Sequence, residues 1–154
     1  MRILPAPTTG NGTADGFSDL GGSTYSELHT YINNIVETER YAIYRGGRSN
    51  TDDYNLFNPT SWLVDEWNGT GSYPTVAAFR TATGMEEHGL QGSPSFGPGT
   101  MQITNASIAI DKGLILPNFN DADSAWPFRG SGPDIGHYEA DPAPQPPRNL
   151  KVLP

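Results

Sequence analysis

The amino-acid sequence predicts an all-β, loop-rich protein in which short strands recur in coils of about twenty residues. Gly and Pro together make up 32 of the 154 residues, whereas charged residues make up 17%. Frequent turn-forming residues between short apolar runs are typical of strands that end in tight turns. Scattered aromatic residues and scarce charges also favour an all-β fold over a helical one. A repeated unit extends this prediction to a solenoid.

The repeated unit is an Asn followed by two apolar residues. It occurs as Asn34-Ile35-Val36 and again as Asn55-Leu56-Phe57, 21 residues later. Solenoids repeat at periods of roughly 20 to 50 residues, because each coil buries its apolar face against the next. Asn tolerates the left-handed backbone of a sharp corner, and its amide can pair with an Asn on the neighbouring coil. The spacing therefore predicts that Asn34 stacks on Asn55.

The first half of the chain is predicted to contain three strands. Residues 1–24 are rich in Gly, Thr, Asp and Pro and are predicted to be irregular. Apolar alternation predicts a strand within 25–32, and apolar runs predict two more at 41–44 and 53–57. Residues 58–73, which include two Trp, are predicted to leave the coils as an aromatic-bearing excursion.

A single helix is predicted over residues 74–82. Pro74 stands near its start, an apolar stripe follows at helical spacing, and Gly84 supplies the C-terminal stop. After the helix, residues 89–96 and 100–103 are predicted to be short strands separated by a turn.

Two matching phrases near the end of the sequence are predicted to be strands that clamp a polar loop. They are Ser107–Gly113 and Pro133–Glu139, and each has a short apolar run with an Ile that we expect to be buried. The loop between them, residues 116–132, contains a single cation, Arg129. A lone guanidinium among carboxylates can form charge-assisted hydrogen bonds. We therefore expect a structural contact between Arg129 and one of the neighbouring acids, Asp111, Asp134 or Glu139.

The two phrases resemble the signature that closes many secreted bacterial right-handed parallel β-helix proteins of the pectate-lyase-like type. In those proteins Ser-Pro-Ala-Ile-Asp-x-Gly precedes Asp-Ile-Gly-Ala-Tyr-Glu, whereas this chain has Ile108 in place of Pro and His137 in place of Ala. The resemblance covers Tyr25 to Glu139. It implies a right-handed parallel β-helix of about three to four coils with one short helix and a C-terminal closing turn. It also implies an extracellular or cell-surface location.

The resemblance divides the chain into three parts. Residues 1–24 are an irregular segment, residues 25–140 are the C-terminal coils of the β-helix, and residues 141–154 are a Pro-rich linker that leads into a sequence similar to the start of a fibronectin type III module. The N-terminal residues lack the apolar region of a signal peptide. We therefore expect missing upstream coils or another chain to cover the first coil, since each coil packs on a neighbour and open strand edges pair readily.

The acidic composition excludes some partners. The net charge is −8 and the isoelectric point is about 4.6, whereas nucleic-acid binding requires clustered Lys and Arg. An acidic polysaccharide would be repelled unless a divalent cation bridged it. The chain has no Cys, which rules out disulfides and thiolate metal sites, and no apolar run approaches the length of a membrane span. We therefore expect no nucleic-acid partner and no membrane span.

Tyr and Arg residues of the early coils predict a carbohydrate-binding surface. Tyr41, Tyr44, Arg45 and Arg48 lie close together in the sequence. Aromatic rings can stack on sugar faces, and guanidinium groups can pair with carboxylates. The alternative is that these residues cap an edge of the solenoid without binding a ligand.

The polar loop and the histidines are further candidates. Asn120, Asp121 and Asp123 bring oxygen atoms together in a way that suits calcium, although not at EF-hand spacing. The alternative is a loop that hydrogen-bonds to its own backbone. His88 follows two acids and could be oriented by a carboxylate, or it could be a solvated side chain. We expect His137 to point outwards.

Two functional interpretations remain open. The first is the C-terminal portion of an extracellular β-helix protein that binds or acts on polysaccharide, with lyase-like ancestry but without a complete active site. If the protein is an enzyme, the resemblance implies a polysaccharide lyase or a glycoside hydrolase. The second is a non-catalytic module of a cell surface or adhesin. The sequence has no Gly-x-Ser-x-Gly motif and no phosphate-binding loop.

Overall fold

A computed structural model describes residues 2–3, 16–19, 30–45, 51–59, 62–66, 71–121 and 123–140. The regular elements of these residues are mostly short strands, with one short helix and no closed barrel. The strands are β1 (Arg2–Ile3), β2 (Phe17–Asp19), β3 (Thr30–Ile32), β4 (Ile35–Thr38), β5 (Tyr41–Arg45), β6 (Thr51–Asp53), β7 (Leu56–Pro59), β8 (Trp62–Glu66), β9 (Ser72–Tyr73) and β10 (Leu90–Gln91), and the helix is α1 (Val76–Thr83).

The strands form three sheets to which the chain contributes in turn. The first sheet has the order β1-β4-β7-β10 and is entirely parallel. The second has the order β2-β5-β8-β9, in which β9 alone is antiparallel to its neighbour. The third pairs β3 with β6 in parallel. Two successive passes of the chain, β3-β4-β5 and β6-β7-β8, therefore each supply one strand to every sheet.

Successive passes are in register at an interval of 21 residues. Thr30 pairs with Thr51 in the third sheet, Ile35 with Leu56 in the first, and Tyr41 with Trp62 in the second. The predicted period is thereby confirmed. It holds in all three sheets, although the sequence signal came from a single pair of Asn-apolar-apolar units.

Several predicted strand boundaries are wrong. The predicted strand 53–57 is divided into β6 and β7 by a corner at Tyr54, where φ is 56°. Asn33 makes the equivalent corner one pass earlier, with a φ of 58°. The predicted excursion 58–73 contains β8 and β9, and the predicted irregular segment 1–24 contains β1 and β2. The sequence gives no turn signal at Tyr54, because the residues that sequence patterns associate with positive φ are Gly, Asn and Asp.

The first sheet is buried on both of its faces. Val36 and Phe57 belong to one buried cluster, whereas their neighbours Ile35 and Leu56 belong to a second cluster that includes Ile135. Side chains alternate between the faces of a strand, so each pair of adjacent apolar residues serves both clusters. This double burial explains why β4 and β7 begin with adjacent apolar residues instead of an alternating pattern.

The helix α1 adds its apolar face to the first cluster. Thr75 caps its N-terminus, since the hydroxyl of Thr75 accepts a hydrogen bond of 3.1 Å from the N–H of Ala78. Gly84 ends the helix with a left-handed φ of 74°. Val76 and Phe79 are buried in the cluster, and Phe79 is 0% exposed. The predicted helix and its glycine stop are confirmed.

The two strands predicted after the helix are shorter than expected. The region 89–96 contains β10, and the region 100–103 contains no strand. An isolated antiparallel bridge instead joins Phe96 to Ile103. We refer to residues 93–104 as the hairpin. Ile103 belongs to the second cluster, so the hairpin packs over the outer face of the first sheet.

The closing segment, residues 104–140, contains turns and bends in its described part instead of the two strands predicted at Ser107–Gly113 and Pro133–Glu139. Side-chain carboxylates of the same segment accept several of its backbone N–H groups, which a strand would have used in a ladder. Ile135 is fully buried as expected, but Ile108 is 44% exposed. In the first phrase, Ile110 instead of Ile108 packs against the second cluster, where it is partly buried.

Asn33 fastens the closing segment to the coils. Its side chain donates to the carbonyl of Leu114 at 2.8 Å and accepts from the N–H of Leu114 at 2.7 Å. Its carbonyl accepts from the N–H of Gly136 at 3.1 Å. Gly136 has a φ of 119°, and a Cβ at this position would lie 2.9 Å from the side chain of Ile35. The closing segment thus lies directly against the first sheet at a position that requires Gly.

Candidate functional site

A ladder of polar side chains follows the corner between the third and first sheets. The backbone N–H and the side-chain amide of Asn34 donate to Oδ1 of Asn55 at 3.0 and 3.1 Å. The backbone N–H and the amide of Asn55 then donate to Oε2 and Oε1 of Glu86 at 3.3 and 2.6 Å. The predicted stacking of Asn34 on Asn55 is confirmed, and Glu86 takes the place of a third Asn. The sequence repeat did not reveal Glu86, because α1 lengthens the interval from Asn55 to 31 residues.

Glu86 is a fully buried acid. It is 0% exposed, and burial raises its pKa to about 8 against the opposing effect of the hydrogen bonds from Asn55. The charges of Asp52 and Asp53 raise the pKa further. Arg80 contacts only the main chain of this residue in the described hydrogen bonds, donating from Nε to the Glu86 carbonyl at 2.6 Å. Glu86 is therefore mostly protonated at neutral pH. It ends the ladder by accepting the hydrogen bonds of Asn55.

His88 is oriented by a carboxylate from the preceding pass of the chain. Its Nδ1 lies 3.0 Å from Oδ2 of Asp53, and its backbone N–H donates to Oδ1 of Asp53 at 2.7 Å. Tyr54 stacks on the imidazole with a centroid distance of 4.4 Å and an interplanar angle of 12°. Burial acts to raise the pKa of Asp53, but the contacts with His88 and the hydrogen bond from the N–H of Tyr54 outweigh it, and the pKa lies below its ordinary value. The orienting acid is thus Asp53, not the acids beside His88 in the sequence.

This His88 arrangement leaves Nε2 as the imidazole atom that could exchange a proton with a ligand. The side chain of His88 is 50% exposed. A carboxylate that fixes the tautomer and the ring orientation is the usual support for a general acid or base. The pair supplies one acid–base group, which alone does not define a reaction.

Three predicted acids come together at the closing turn. Oδ1 of Asp111 accepts from the N–H groups of Ser131 and Gly132 at 2.7 and 3.2 Å. Asp134 accepts from the N–H of Asp111 at 2.8 Å, and Glu139 accepts from the N–H of Asp134 at 3.1 Å. Burial raises the pKa of both Asp134 and Glu139, although the backbone hydrogen bonds act in the opposite direction. These acids hold the closing turn by accepting from the backbone.

The main chain of Arg129 contacts this cluster. Its backbone N–H donates to Oε2 of Glu139 at 3.2 Å, and its side chain is exposed. Removing a partly buried guanidinium from among these acids would cost several kcal/mol. An exposed ion pair contributes less than about 1 kcal/mol. The structural role of Arg129 therefore stays a prediction, with the smaller of the two expected energies.

The predicted calcium ligands have separate roles in the polar loop. Oδ1 of Asn120 accepts from the N–H of Leu116 at 2.6 Å, and Oδ2 of Asp121 accepts from the N–H of Asn118 at 2.6 Å. Oδ1 of Asp121 is buried without a hydrogen-bond partner in the described part of the chain, and Asp123 is exposed. The described residues contain no group of three or more His, Cys, Asp or Glu that could hold a metal ion. Calcium binding stays a prediction.

The predicted carbohydrate-binding residues fall on and after β5. Tyr41, Tyr44 and Arg45 belong to this strand, whereas Arg48 lies outside the described residues. The guanidinium carbon of Arg40 lies 4.6 Å from the centroid of the Tyr41 ring, which is a cation–π contact. This contact occupies part of the Tyr41 ring that was expected to face a sugar.

An exposed aromatic pair was not among the predicted site residues. Trp126 is 70% exposed and Phe119 is 54% exposed. Their ring centroids are 5.8 Å apart at an angle of 75°, so the rings meet edge to face. A Trp and a Phe inside a loop otherwise rich in Asn, Asp and Pro were a visible signal, because such loops seldom need large apolar side chains.

A cleft over the first sheet was also not predicted. It has a volume of about 710 Å³ and lies between Glu37 of β4 and the hairpin. The amide of Asn58, on β7, donates to Oε1 of Glu37 at 3.2 Å. The two residues are 21 positions apart, as the repeat requires. The period therefore contained the signal for this pair once β4 and β7 were aligned.

Comparisons of the chain with protein-family models, with curated proteins and with solved structures give no significant match. Among the residues that the structure describes, no helix is long and apolar enough to cross a membrane.

Proposed function

We propose that this chain forms the C-terminal coils and the closing cap of a right-handed parallel β-helix, in an extracellular protein that binds or acts on polysaccharide. In this proposal the chain supplies sugar contacts and the cap of the solenoid. It does not supply a complete active site.

The β-helix part of the proposal is supported by the three parallel sheets and their common interval of 21 residues. A chain that adds one strand to each of three sheets on every pass winds around an interior, which the first apolar cluster fills. Connections between parallel strands of one sheet are right-handed in about 98% of cases. The helix α1, with Val76 and Phe79 in the same cluster, suits the role of a cap at the end of the stack.

The polysaccharide part of the proposal rests on one observation, the exposed pair of Phe119 and Trp126. A flat, apolar ring face matches the C–H face of a sugar ring, and the edge-to-face contact with Phe119 fixes the indole. Among the neighbouring exposed side chains, the amide of Asn118 can donate to or accept from sugar hydroxyls, and the carboxylate of Asp123 can accept from them. An aromatic surface surrounded by polar groups is typical of a binding site.

Affinity electrophoresis in gels that contain individual polysaccharides tests this proposal. We expect retardation of the parent chain by at least one polysaccharide and a loss of about tenfold in affinity for Trp126→Ala. Ile115→Ala is the matched control, because Ile115 is an apolar residue of 47% exposure. Unchanged retardation of Trp126→Ala would remove the aromatic pair from the binding surface. No retardation by any polysaccharide would favour the non-catalytic surface module instead.

A further inference from the structure

The cleft between β4 and the hairpin combines one carboxylate with an apolar wall. Glu37, Phe96, Thr100 and Met101 are among the residues that line it. Its volume of about 710 Å³ lies within the range of small-molecule sites, which is roughly 300 to 1,000 Å³. The amide of Asn58 donates to Glu37 at 3.2 Å and so helps to fix the carboxylate.

The charge of the cleft restricts the ligand. Glu37 is the only charged side chain among the described residues that line it. An anionic ligand would be disfavoured by the net charge of −8 of the chain. A wholly apolar ligand would remove the carboxylate from water without replacing its hydrogen bonds, which is unfavourable. The cleft therefore suits a ligand that has both hydroxyl donors and an apolar face.

A neutral sugar has both features. Its hydroxyl groups can donate to the Glu37 carboxylate and to the Thr100 hydroxyl, and its C–H groups can contact Phe96 and Met101. Met101 is 48% exposed, so its side chain is available for such a contact.

We propose that this cleft binds one unit of a neutral saccharide, with Glu37 as the hydrogen-bond acceptor and with Phe96 and Met101 as the apolar contacts. The inference rests on the proposed function for the presence of a polysaccharide. It goes beyond it by adding a second site, separate from the aromatic pair, and by naming neutral glycans as the ligand of that site.

Backbone amide shifts of the full chain, labelled with ¹⁵N, report on the cleft directly. The probes are neutral gluco-, manno- and xylo-oligosaccharides, with an oligogalacturonate as the acidic counterpart. We expect at least one neutral probe to shift the amides of Glu37, Thr100 and Met101, and we expect the acidic probe to leave them unchanged.

Two variants test the assigned contacts. Glu37→Gln should weaken neutral binding about tenfold, because it removes a charge-assisted acceptor. Met101→Ala should weaken it about threefold through lost apolar contact. Glu87→Gln and Ile115→Ala are the controls, since both side chains are exposed elsewhere, and they should bind as the parent does. Met101 is half exposed, so its variant is informative even if Glu37→Gln disturbs the contact with Asn58.

Each contrary outcome is distinguishable. Shifts confined to the region of Trp126 would overturn the cleft and leave the proposed function standing. Cleft shifts caused by the acidic probe would overturn the assignment of neutral ligands. Parent affinity in both cleft variants would overturn the assigned contacts, and no binding of any probe would overturn this inference together with the polysaccharide part of the proposed function.

Discussion

Replacing Glu86 with Gln tests the buried acid that ends the side-chain ladder. The pKa of Glu86 is about 8 in the folded chain and 4.5 in its ordinary environment, because burial disfavours the carboxylate. Since the folded pKa is the higher one, the folded chain binds the additional proton between these values. The stability associated with this group is fully present below pH 4.5 and is lost as the pH rises through 8.

The size of the effect follows from the two pKa values. The free energy of unfolding of the parent should fall by about 4 kcal/mol between pH 5 and pH 9 on account of Glu86. Glu86→Gln carries no titrating proton and should lack this decline. At pH 5 the variant should be less stable than the parent by about 1 kcal/mol, because an amide NH₂ cannot accept the backbone N–H of Asn55. At pH 9 it should be more stable by about 3 kcal/mol.

Urea unfolding at pH 5, 7 and 9 measures these differences. Glu87→Gln is the control, since Glu87 is the exposed neighbour and its variant should keep the pH dependence of the parent. A titration of the side-chain carbonyl carbon of Glu86 by NMR measures the folded pKa independently. Parallel stability curves for the parent and Glu86→Gln would refute the reasoning, because they would mean that folding does not change the proton affinity of Glu86.

Three further predictions concern the closing turn, the polar loop and β5. Asp134→Ala leaves two backbone N–H groups without their acceptor and should lower the free energy of unfolding by about 3 kcal/mol, whereas Arg129→Met should lower it by less than about 1 kcal/mol. Urea unfolding midpoints in the reverse order would contradict this assignment. Calorimetric titration with calcium should give heat that Asp123→Ala abolishes, and a parent that shows neither heat nor a thermal shift would end the prediction. The double variant Tyr44→Ala with Arg45→Ala should migrate faster than the parent in gels that contain acidic glycans, and equal migration would remove β5 from the binding surface.

The period of the coils could be predicted from the sequence because a side chain with a specific corner role is repeated. Asn34 and Asn55 each follow a residue of positive φ, and the Asn55 side chain bonds to the backbone N–H and the side-chain amide of Asn34 on the neighbouring pass. Glu86 performs the same role, but its chemical identity is different and a helix precedes it. A repeat search compares residue types at fixed spacing, so it cannot find an acceptor that differs in both respects.

The closing segment could not be predicted in the same way. Its apolar runs predicted strands. A run of Ile and Ala between turns, however, fits either a strand or a compact turn. The decisive information is which groups accept the backbone N–H donors. Asp111, Asp134 and Glu139 accept them, and these contacts join positions up to 23 residues apart that no local pattern relates. The sequence predicted a contact between Arg129 and one of these acids, but it did not identify the backbone donors that the acids accept.

The two candidate sites that sequence reasoning missed lie on segments that contact the coils. The hairpin packs on the second cluster, whereas the loop that carries Trp126 follows Leu114 in the closing segment. Asn33 joins that segment to the coils, while Asn34, the next residue, joins one coil to the next. These two adjacent corner residues therefore have different roles. Asn34 links successive coils, and Asn33 attaches the closing segment. A change in corner geometry at this point would disturb the first sheet and the surface that covers it together, because both depend on the same pair of adjacent residues.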